Sequence, residues 1–439
     1  MVRFPLPREG FSVEKRFLGF APVIGVILFL ATLSLTAQAV GGGSFSTPLV
    51  MGFPSGDDWE PAVASDGQGH VYVLITHFGG VPNCGGCADP SILVQVSGDG
   101  GATFGPASPL IESSDSQYDP QVKVNESGAV FVSYLLGKDT VVQRSVDHGA
   151  SWSAPVVANV GIRQGPTDKD GLAVRGSDVY VGFDVAQRFF VAASHDGGQT
   201  FAVAQTNTNT MGWPLNGAAA VGADGTVYMV WELIHQSGNA LGLQDVLVTK
   251  SSNHGLSWTM SFVDQGLPPG PACPETCGWD FLGSGSSIAV DAGGTVYVLY
   301  NAPSYYRGPP LVWFRSSPDG ENWSRSQRMS VSADATPSFH VFPTIDAGAA
   351  GDVRIAWMDN RTGAYNVWYR NSTDGGQNWL DETMVSQFRS GSSYVTQLGF
   401  AFPYGDYFVL ALDPNRVVHV AWGEGPNYSG PGNVLYAHN

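Results

Sequence analysis

The sequence predicts an all-β protein in which seven four-stranded antiparallel sheets form a closed ring, a β-propeller. Three observations predict this fold: a composition rich in turn residues, a short motif that occurs six times, and a pair of apolar strands that occurs seven times. The chain has 439 residues, of which 56 are glycine and 28 are proline, while only 13% are charged. This composition has too many turn residues for a helical protein and too many apolar and aromatic residues for a disordered one.

The first 40 residues are predicted to be a targeting segment and not part of the fold. Basic residues at positions 3, 8, 15 and 16 precede an uncharged apolar stretch over residues 17–40, and this flank predicts that the following chain faces outward. Ala37-Gln38-Ala39 fits a signal-peptidase site, yet the stretch is also long enough to span a bilayer. A cleaved signal peptide and a retained anchor both stay open. Either one places residues 41–439, a single propeller domain, outside the cytoplasm, secreted or at the cell surface.

The repeated motif has the form Ser-x-Asp-x-Gly-x-Thr/Ser-aromatic, and its copies lie 48 to 65 residues apart. The Asp or Asn is predicted to accept a hydrogen bond from a backbone N–H two residues on, as in an Asx-turn. The glycine supplies the positive φ of the turn, and the aromatic residue packs into a hydrophobic seam. The motif is therefore predicted to stabilise a hairpin and to be neither a catalytic nor a metal site. The Asp or Asn of the six copies is Asp99, Asp147, Asp196, Asn253, Asp319 and Asp374.

Pairs of short apolar strands indicate how many sheets the ring contains. An apolar strand, a turn and a Val-Tyr-Val type strand follow one another, as in residues 288–290 and 296–298. A third strand leads into the motif and a fourth leaves it, and four such strands make one propeller blade. The strand pair occurs seven times, the last at 407–411 and 417–420. Seven blades are therefore predicted, with six, the number of motif copies, as the alternative.

The last blade lacks a fourth strand of its own after its third strand at 433–436. Residues 45–50, Phe-Ser-Thr-Pro-Leu-Val, resemble residues 152–157, Trp-Ser-Ala-Pro-Val-Val, which follow a copy of the motif. We therefore expect the first strand of the mature chain to complete the last blade. Such closure would remove the open sheet edge of an incomplete ring.

Charge and cysteine spacing limit the partners. The net charge of −17 argues against nucleic acid, because phosphate binding requires a basic face. The expected partner is a glycan or an extracellular protein, and only the N-terminal segment is expected to contact the membrane.

The four cysteines occur as two closely spaced pairs, Cys84 with Cys87 and Cys273 with Cys277. Four thiolates would suit zinc, whereas an exported chain favours two local disulfides.

Polar and aromatic side chains are predicted to converge at one mouth of the central channel, where the long second-to-third-strand loops and the interblade links lie. Acids with aromatic platforms suit a sugar, although such acids also serve to cap strand ends and to keep a surface soluble. A cluster of acids also suits calcium, but no ligand loop of the EF-hand kind is present, so no cofactor or metal is predicted. The candidate ligand-binding residues are Trp59, Glu60, Asp119, Asp168, Asp170, Trp213, Asp280, Asp359 and Asp406.

The six copies of the motif resemble the Asp-box repeat of the sialidase superfamily. The resemblance implies a hydrolase of terminal sialic acid with a Tyr nucleophile, a Glu partner, an Asp acid/base and three arginines that grip the sugar carboxylate. The residues of this chain that match those roles are Asp58, Glu232, Tyr404 or Tyr407, Arg307 and Arg361. The family's early Phe/Tyr-Arg-Ile-Pro motif has no counterpart, because the corresponding residues 58–63 read Asp-Trp-Glu-Pro-Ala-Val.

These departures decide which function the sequence favours. Acids where a cation is needed would repel a carboxylate, and the family's hydrolases typically have six blades. The sequence therefore favours an exported propeller that binds a glycan or protein at the channel mouth. The alternatives are a glycoside hydrolase, sialidase-like or acting on a neutral glycan, and a structural surface-layer component. Fold alone does not decide among them.

Overall fold

The computed structural model describes residues 44–163, 165–206, 212–235, 242–268, 285–330, 338–363, 365–386, 405–425 and 432–439. Over these ranges the chain forms 28 β-strands and no helix. Accordingly, this part of the chain contains no helix that is long and apolar enough to cross a bilayer. The strands form seven antiparallel sheets of four strands each, which confirms the all-β class and the number of blades.

The strand bounds in chain order are β1 (Leu49–Val50), β2 (Asp57–Ser65), β3 (Val71–Phe78), β4 (Ser91–Ser97), β5 (Ser108–Pro109), β6 (Gln117–Val124), β7 (Val130–Leu136), β8 (Asp139–Ser145), β9 (Val156–Val157), β10 (Asp168–Arg175), β11 (Asp178–Val185), β12 (Arg188–Ser194), β13 (Ala202–Gln205), β14 (Trp213–Val221), β15 (Val227–Ile234), β16 (Gln244–Ser251), β17 (Thr259–Gly266), β18 (Ser286–Val290), β19 (Val296–Pro303), β20 (Pro310–Ser317), β21 (Gln327–Arg328), β22 (His340–Ala347), β23 (Val353–Asp359), β24 (Asn366–Ser372), β25 (Thr383–Met384), β26 (Val409–Leu412), β27 (Val418–Glu424) and β28 (Asn433–His438).

Each blade is a meander of four consecutive strands. Strands β2–β5 form blade 1, and each following set of four forms the next blade up to β22–β25 in blade 6. The first strand of each blade contacts the first strands of both neighbouring blades, and β26 contacts β2. The seven first strands therefore surround the axis of the ring. Their apolar residues, with those of the second and third strands, form the cores between neighbouring blades.

Blade 7 contains strands from both ends of the described chain, in the order β26-β27-β28-β1. Leu49 pairs with Tyr436 and Val50 pairs with Leu435. Just before β1, the Ser46 N–H donates to the carbonyl of His438 at 2.7 Å, and the Ser46 hydroxyl accepts from the His438 N–H at 3.1 Å. The predicted closure is confirmed, and the six-bladed alternative is excluded.

The six motif copies form turns with one shared hydrogen-bond pattern. The first Ser hydroxyl accepts from the N–H of the Gly at 2.8–3.0 Å. The Asp or Asn accepts from the N–H of the Thr, Ser or Asn at 2.8–3.0 Å. That donor is four residues on in five copies, not two as expected from an Asx-turn. In the fifth copy the serine is Ser317, not Ser316, and the donor, Asn322, is three residues beyond Asp319.

Each of these turns packs against the preceding blade in the ring. A Cβ built on Gly376 of the sixth copy would lie 2.5 Å from the Phe314 ring in blade 5, so only glycine fits there. The box aromatics add to these contacts: the Phe104 ring lies edge-on to Tyr436 of blade 7 at 4.9 Å. Blade 7 has no motif copy. In its place the Phe45 ring meets Tyr369 of blade 6 edge-on at 5.2 Å.

A disulfide joins Cys84 and Cys87, whose Cα atoms are 5.4 Å apart. It lies in the loop between β3 and β4. The disulfide prediction is confirmed for this pair, and neither cysteine offers a thiolate to zinc. Cys273 and Cys277 lie outside the described residues.

Candidate functional site

Five of the first strands carry a β-bulge, and four of these bulges share one backbone conformation. The pairing with the second strand shifts after Trp59, Tyr118, Asp168 and Val341. Directly after these residues the backbone takes a left-handed conformation, at Glu60 (φ 51°), Asp119 (φ 53°), Lys169 (φ 43°) and Phe342 (φ 54°). A bulge changes the direction in which a side chain points. These bulges bring side chains from separate blades together at the axis.

The side chains of three of these blades meet in one ionic cluster. The Lys169 ammonium lies 2.5 Å from an Asp406 carboxylate oxygen and 3.3 Å from an Asp119 oxygen. Oxygens of Glu60, Asp119 and Asp406 all lie within 4.8 Å of one another. The Lys169 ammonium is also 5.7 Å from the centre of the Tyr407 ring. Because Lys169 bridges Asp119 and Asp406, its ammonium already supplies the positive charge that a calcium ion would bring.

Burial and like charge shift the pKa values of this cluster. Burial, followed by the negative charges of Asp119 and Asp406, raises the pKa of Glu60 well above its usual range. Burial also raises the pKa of Asp119 to about 6, against the opposing effect of Lys169. Burial would lower the pKa of Lys169, but the surrounding carboxylates raise it well above normal. The surroundings therefore favour the cationic form of Lys169 and shift Glu60 toward its protonated form.

A cavity of about 110 Å³ lies beside the cluster and is lined by residues from blades 2 to 7. Asp119, Lys169, Asp170 and Asp406 border it on one side, and Glu232 borders it on another. Asp170 accepts a hydrogen bond from the Ser133 hydroxyl, and burial raises its pKa well above normal. The other cation that lines the cavity within the described chain is Lys123; none is an arginine.

Several carboxylate oxygens at this cavity make no well-formed hydrogen bond with the described residues. They are one oxygen each of Asp170 and Asp406, and both oxygens of Glu232; one oxygen of Glu60, in the adjoining ionic cluster, is in the same state. Burial raises the pKa of Glu232 to about 7, and the nearby Ser286 hydroxyl opposes this shift. Burial likewise raises the pKa of Asp168, which accepts from the Lys169 N–H at 3.0 Å. Buried oxygens without partners are costly unless something pairs with them.

Tyr407 and Asp58 bond to the scaffold around the site. The Tyr407 hydroxyl donates to the backbone carbonyls of Glu60 and Pro120, each at 3.4 Å, and burial raises its pKa well above normal. The Asp58 carboxylate pairs with Nδ1 of the buried His77 at 2.6 Å. Tyr407 thus lines the cavity with its hydroxyl bonded to backbone carbonyls, whereas Asp58 is not among the lining residues and is paired with His77.

Two further candidate residues, Asp359 and Arg361, pair with each other on blade 6. Asp359 accepts from the Trp357 indole at 2.9 Å and from Arg361, and it lies 3.1 Å from His340. Arg361 also bonds to Glu382 and lies over the Trp368 ring at 4.1 Å. These two residues therefore form a network on blade 6 that occupies the guanidinium.

The candidate aromatic residues and the remaining arginine are also placed. Trp59 is fully buried and stacks on Phe78 at 5.0 Å, so it packs in the core and is no platform for a ligand. Trp213 packs against a small apolar cluster at the start of β14. Arg307 is exposed, 5.9 Å from the centre of the Tyr306 ring. Asp280 and Tyr404 lie outside the described residues.

Sequence reasoning missed Lys169, although it named Asp168 and Asp170 on either side. In a regular strand, alternate residues share a face, so Lys169 would point away from its neighbours. The bulge removes that alternation. A partial signal was present: Glu60 and Asp119 each precede a proline at the same point of the repeat, and Lys169 is at the corresponding point of the next repeat, although Asp170 follows it instead of a proline.

Comparisons with known proteins find structural similarity only at low sequence identity. No protein-family model matches the chain, and no curated protein matches it. Similar solved structures include a protein of unknown function from Dyadobacter fermentans, with a TM-score of 0.49 and 13% identity over 90% of this chain and 98% of that chain. A Hadza microbial sialidase has a TM-score of 0.48 and 14% identity, over 84% of this chain and 76% of the sialidase.

A leech intramolecular trans-sialidase, solved with 2,7-anhydro-Neu5Ac, has a TM-score of 0.48 and 13% identity, over 90% of this chain and 70% of the enzyme. The chain is thus similar to sialidases as a β-propeller, and its own seven-bladed fold rests on the strand pairing described above.

Proposed function

We propose that this protein is an exported β-propeller that binds an uncharged glycan at the mouth of its central channel. The observation that carries the proposal is the set of buried carboxyl groups around Lys169, several of whose oxygens have no well-formed hydrogen bond. A sugar hydroxyl donates one hydrogen bond and accepts others. Hydroxyl groups at this position would satisfy oxygens that the described protein leaves unpaired.

The charge of the cluster supports a neutral ligand over an anionic one. Five carboxyl groups, those of Glu60, Asp119, Asp168, Asp170 and Asp406, interact electrostatically with Lys169. The ammonium is already paired with two of them. A sialic acid carboxylate would lie beside these five carboxyl groups, and Lys123 is the other cation of the described lining. Like-charge repulsion from the carboxyl groups would therefore oppose its binding.

A second candidate function is hydrolysis of a neutral glycan, and one specific observation favours it. Glu232 and Asp119 line the same cavity, and burial raises their pKa values to about 7 and about 6. Two carboxyl groups with different pKa values are the usual means by which a glycosidase obtains an acid and a base near neutral pH. In this reading Glu232 holds the proton and Asp119 is the ionised partner.

Isothermal titration of the full chain with neutral oligosaccharides and with 3′-sialyllactose tests the first proposal. Binding of a neutral oligosaccharide is expected, and Asp170→Asn and Asp406→Asn should each weaken it by about tenfold or more, as for one lost charge-assisted hydrogen bond. The matched control is Asp381→Asn, an exposed acid of blade 6, which should bind normally. Binding of the sialoside alone, or neutral binding that both site variants retain, would overturn the proposal.

Reducing-sugar release from the same oligosaccharides tests the second candidate. Turnover that Glu232→Gln abolishes while binding persists would establish hydrolysis. Turnover that survives this substitution would exclude the assigned acid.

Export is part of the proposal, and the N-terminal segment and the Cys84–Cys87 disulfide support it. Disulfides persist in oxidising compartments. Fractionation of the native cells is expected to place the protein outside the cytoplasm. A cytoplasmic location with reduced Cys84 and Cys87 would contradict the proposal.

A further inference from the structure

Two clusters of two histidines and one aspartate lie on the face opposite the proposed glycan site. This is the face of the Asp-box turns and of the turns between first and second strands. In each cluster the three side chains offer ligand atoms within 4.8 Å of one another. Each cluster also spans two neighbouring blades. The clusters are Asp66, His70 and His148 across blades 1 and 2, and Asp178, His195 and His254 across blades 3 and 4.

The cluster of blades 3 and 4 has a carboxylate between two imidazoles. Nδ1 of His195 lies 2.9 Å from one oxygen of Asp178, and Nδ1 of His254 lies 2.9 Å from the other. The His195 side chain is 49% exposed and the His254 side chain is 63% exposed, so solvent and solutes reach both rings.

The cluster of blades 1 and 2 repeats this composition. Nδ1 of His70 lies 2.7 Å from a carboxylate oxygen of Asp66, and Nδ1 of His148 lies 3.7 Å from the same oxygen. The two rings stack with centres 3.9 Å apart. The other oxygen of Asp66 accepts from the N–H groups of Gln68 and His70, so the carboxylate is held in place by its own turn.

The box histidines take a backbone conformation that favours glycine. His148 and His254 directly follow the Asp or Asn of their boxes, at φ 56° and φ 57°. The first, third and sixth copies have glycine there, namely Gly100, Gly197 and Gly375, also at positive φ. A side chain at such a position adds strain that glycine avoids. A role in folding alone would therefore favour glycine, and the imidazoles need another explanation.

Two imidazole nitrogens and one carboxylate oxygen are a ligand set for a divalent transition metal. Imidazole suits Zn²⁺, Cu²⁺ and Ni²⁺, whereas Ca²⁺ and Mg²⁺ prefer oxygen alone. Two ligand atoms about 2.0–2.1 Å from a metal are about 2.9 Å apart at a right angle and about 3.3 Å apart at a tetrahedral angle. Each imidazole nitrogen lies at the first value from a different oxygen of Asp178, so an ion between the rings would be held by both oxygens, or by one of them after a small rotation of the carboxylate.

We propose that each of these two clusters binds one divalent transition-metal ion, with the remaining coordination positions open to solvent or to an external ligand. Each ion would join neighbouring blades through side chains that already face one another. Because the clusters lie on the opposite face from the carboxylate-lined cavity, this metal binding is independent of the proposed glycan site.

Titration of the full chain with ZnCl₂ tests the proposal. The protein is purified without a histidine tag, stripped with a chelator and kept at about pH 7.5, above the usual imidazole pKa of about 6.5. The wild type is expected to bind two equivalents of Zn²⁺. His148→Gln and His254→Gln are each expected to bind one, because loss of a ligand weakens a site by more than about 100-fold, and the double variant is expected to bind none.

The matched control is His235→Gln. His235 also pairs with one carboxylate, Asp245, at 2.6 Å, but no second imidazole belongs to that pair among the described residues. This variant should retain both equivalents. A wild type that binds no Zn²⁺, or a double variant that still binds two equivalents, would overturn the proposal. If a variant unfolds, the histidine NMR signals of the wild type decide the question: Zn²⁺ must perturb His148 and His254 and leave His235 unchanged.

Discussion

Phe45 is expected to stabilise the whole ring, because it closes the one seam that has no Asp box. Its ring is half-buried and lies edge-on to Tyr369 of blade 6 at 5.2 Å. It packs on the apolar cluster shared by blades 6 and 7. Full burial of a Phe side chain contributes up to about 3 kcal/mol, and an aromatic pair adds about 0.5–1.5 kcal/mol. For a half-buried ring, Phe45→Ala should lower the free energy of unfolding by about 2–3 kcal/mol.

The measurement is the unfolding temperature of the full chain. With an unfolding entropy of about 2.1 cal/mol/K per residue, a chain of 439 residues should lose about 2–3 °C. Val50→Ala is the matched control, because Val50 lies five residues on, in β1, but is 67% exposed and should change the temperature little. Phe45→Trp should be tolerated, because four of the boxes have Trp at the equivalent position. Equal unfolding temperatures for Phe45→Ala and Val50→Ala would refute the reasoning.

Two further predictions concern the box turns and the buried acids. The Cβ added by Gly294→Ala meets no atom within 4 Å, so this substitution should lower the free energy of unfolding by about 1–2 kcal/mol through its positive φ alone. The Cβ added by Gly376→Ala also meets the Phe314 ring, so this substitution should lower the free energy by about 1–3 kcal/mol more. Equal urea midpoints for the two variants would contradict this prediction. Burial raises the pKa of Glu232 to about 7 and that of Asp119 to about 6, so the folded state binds these two protons more tightly than the unfolded state. The stability that the two protonated carboxyl groups contribute is therefore complete below about pH 4 and is lost as the pH rises through 6 to 7. The unfolding temperature should therefore be higher near pH 5 than near pH 8, and Glu232→Gln should reduce this difference; an unchanged difference would exclude Glu232 as a cause.

Much of the fold could be predicted because the sequence repeats itself. The seven strand pairs predicted seven blades, and the likeness of residues 45–50 to residues 152–157 predicted which strand completes blade 7. The turn chemistry was less predictable. Both Ser316 and Ser317 fit the motif by type, and only the backbone path selects Ser317 as the partner of Asp319. Hydrogen-bond register inside a turn depends on φ and ψ, which residue types alone do not determine.

The site could be predicted as a region but not as an arrangement. Glu60, Asp119 and Asp406 were expected at the channel mouth, and the structure brings them within 4.8 Å of one another. Trp59, expected as a sugar platform, is instead buried against Phe78. Lys169 escaped notice because the bulge that turns it inward is a backbone feature. One residue of shift in a strand reverses which side chains face the axis.

The pairing of β1 with β28 also determines when this protein can become resistant to proteases during its synthesis. The two strands are separated by almost the whole chain, so their contact has the highest possible contact order and the greatest loop-closure entropy. Six blades can form while the chain is still being synthesised, yet the seam beside Phe45 stays open until β28 emerges. A chain interrupted before Asn433 would keep two unpaired sheet edges, on which other chains could aggregate. Completion of the last blade thus distinguishes full-length from interrupted chains.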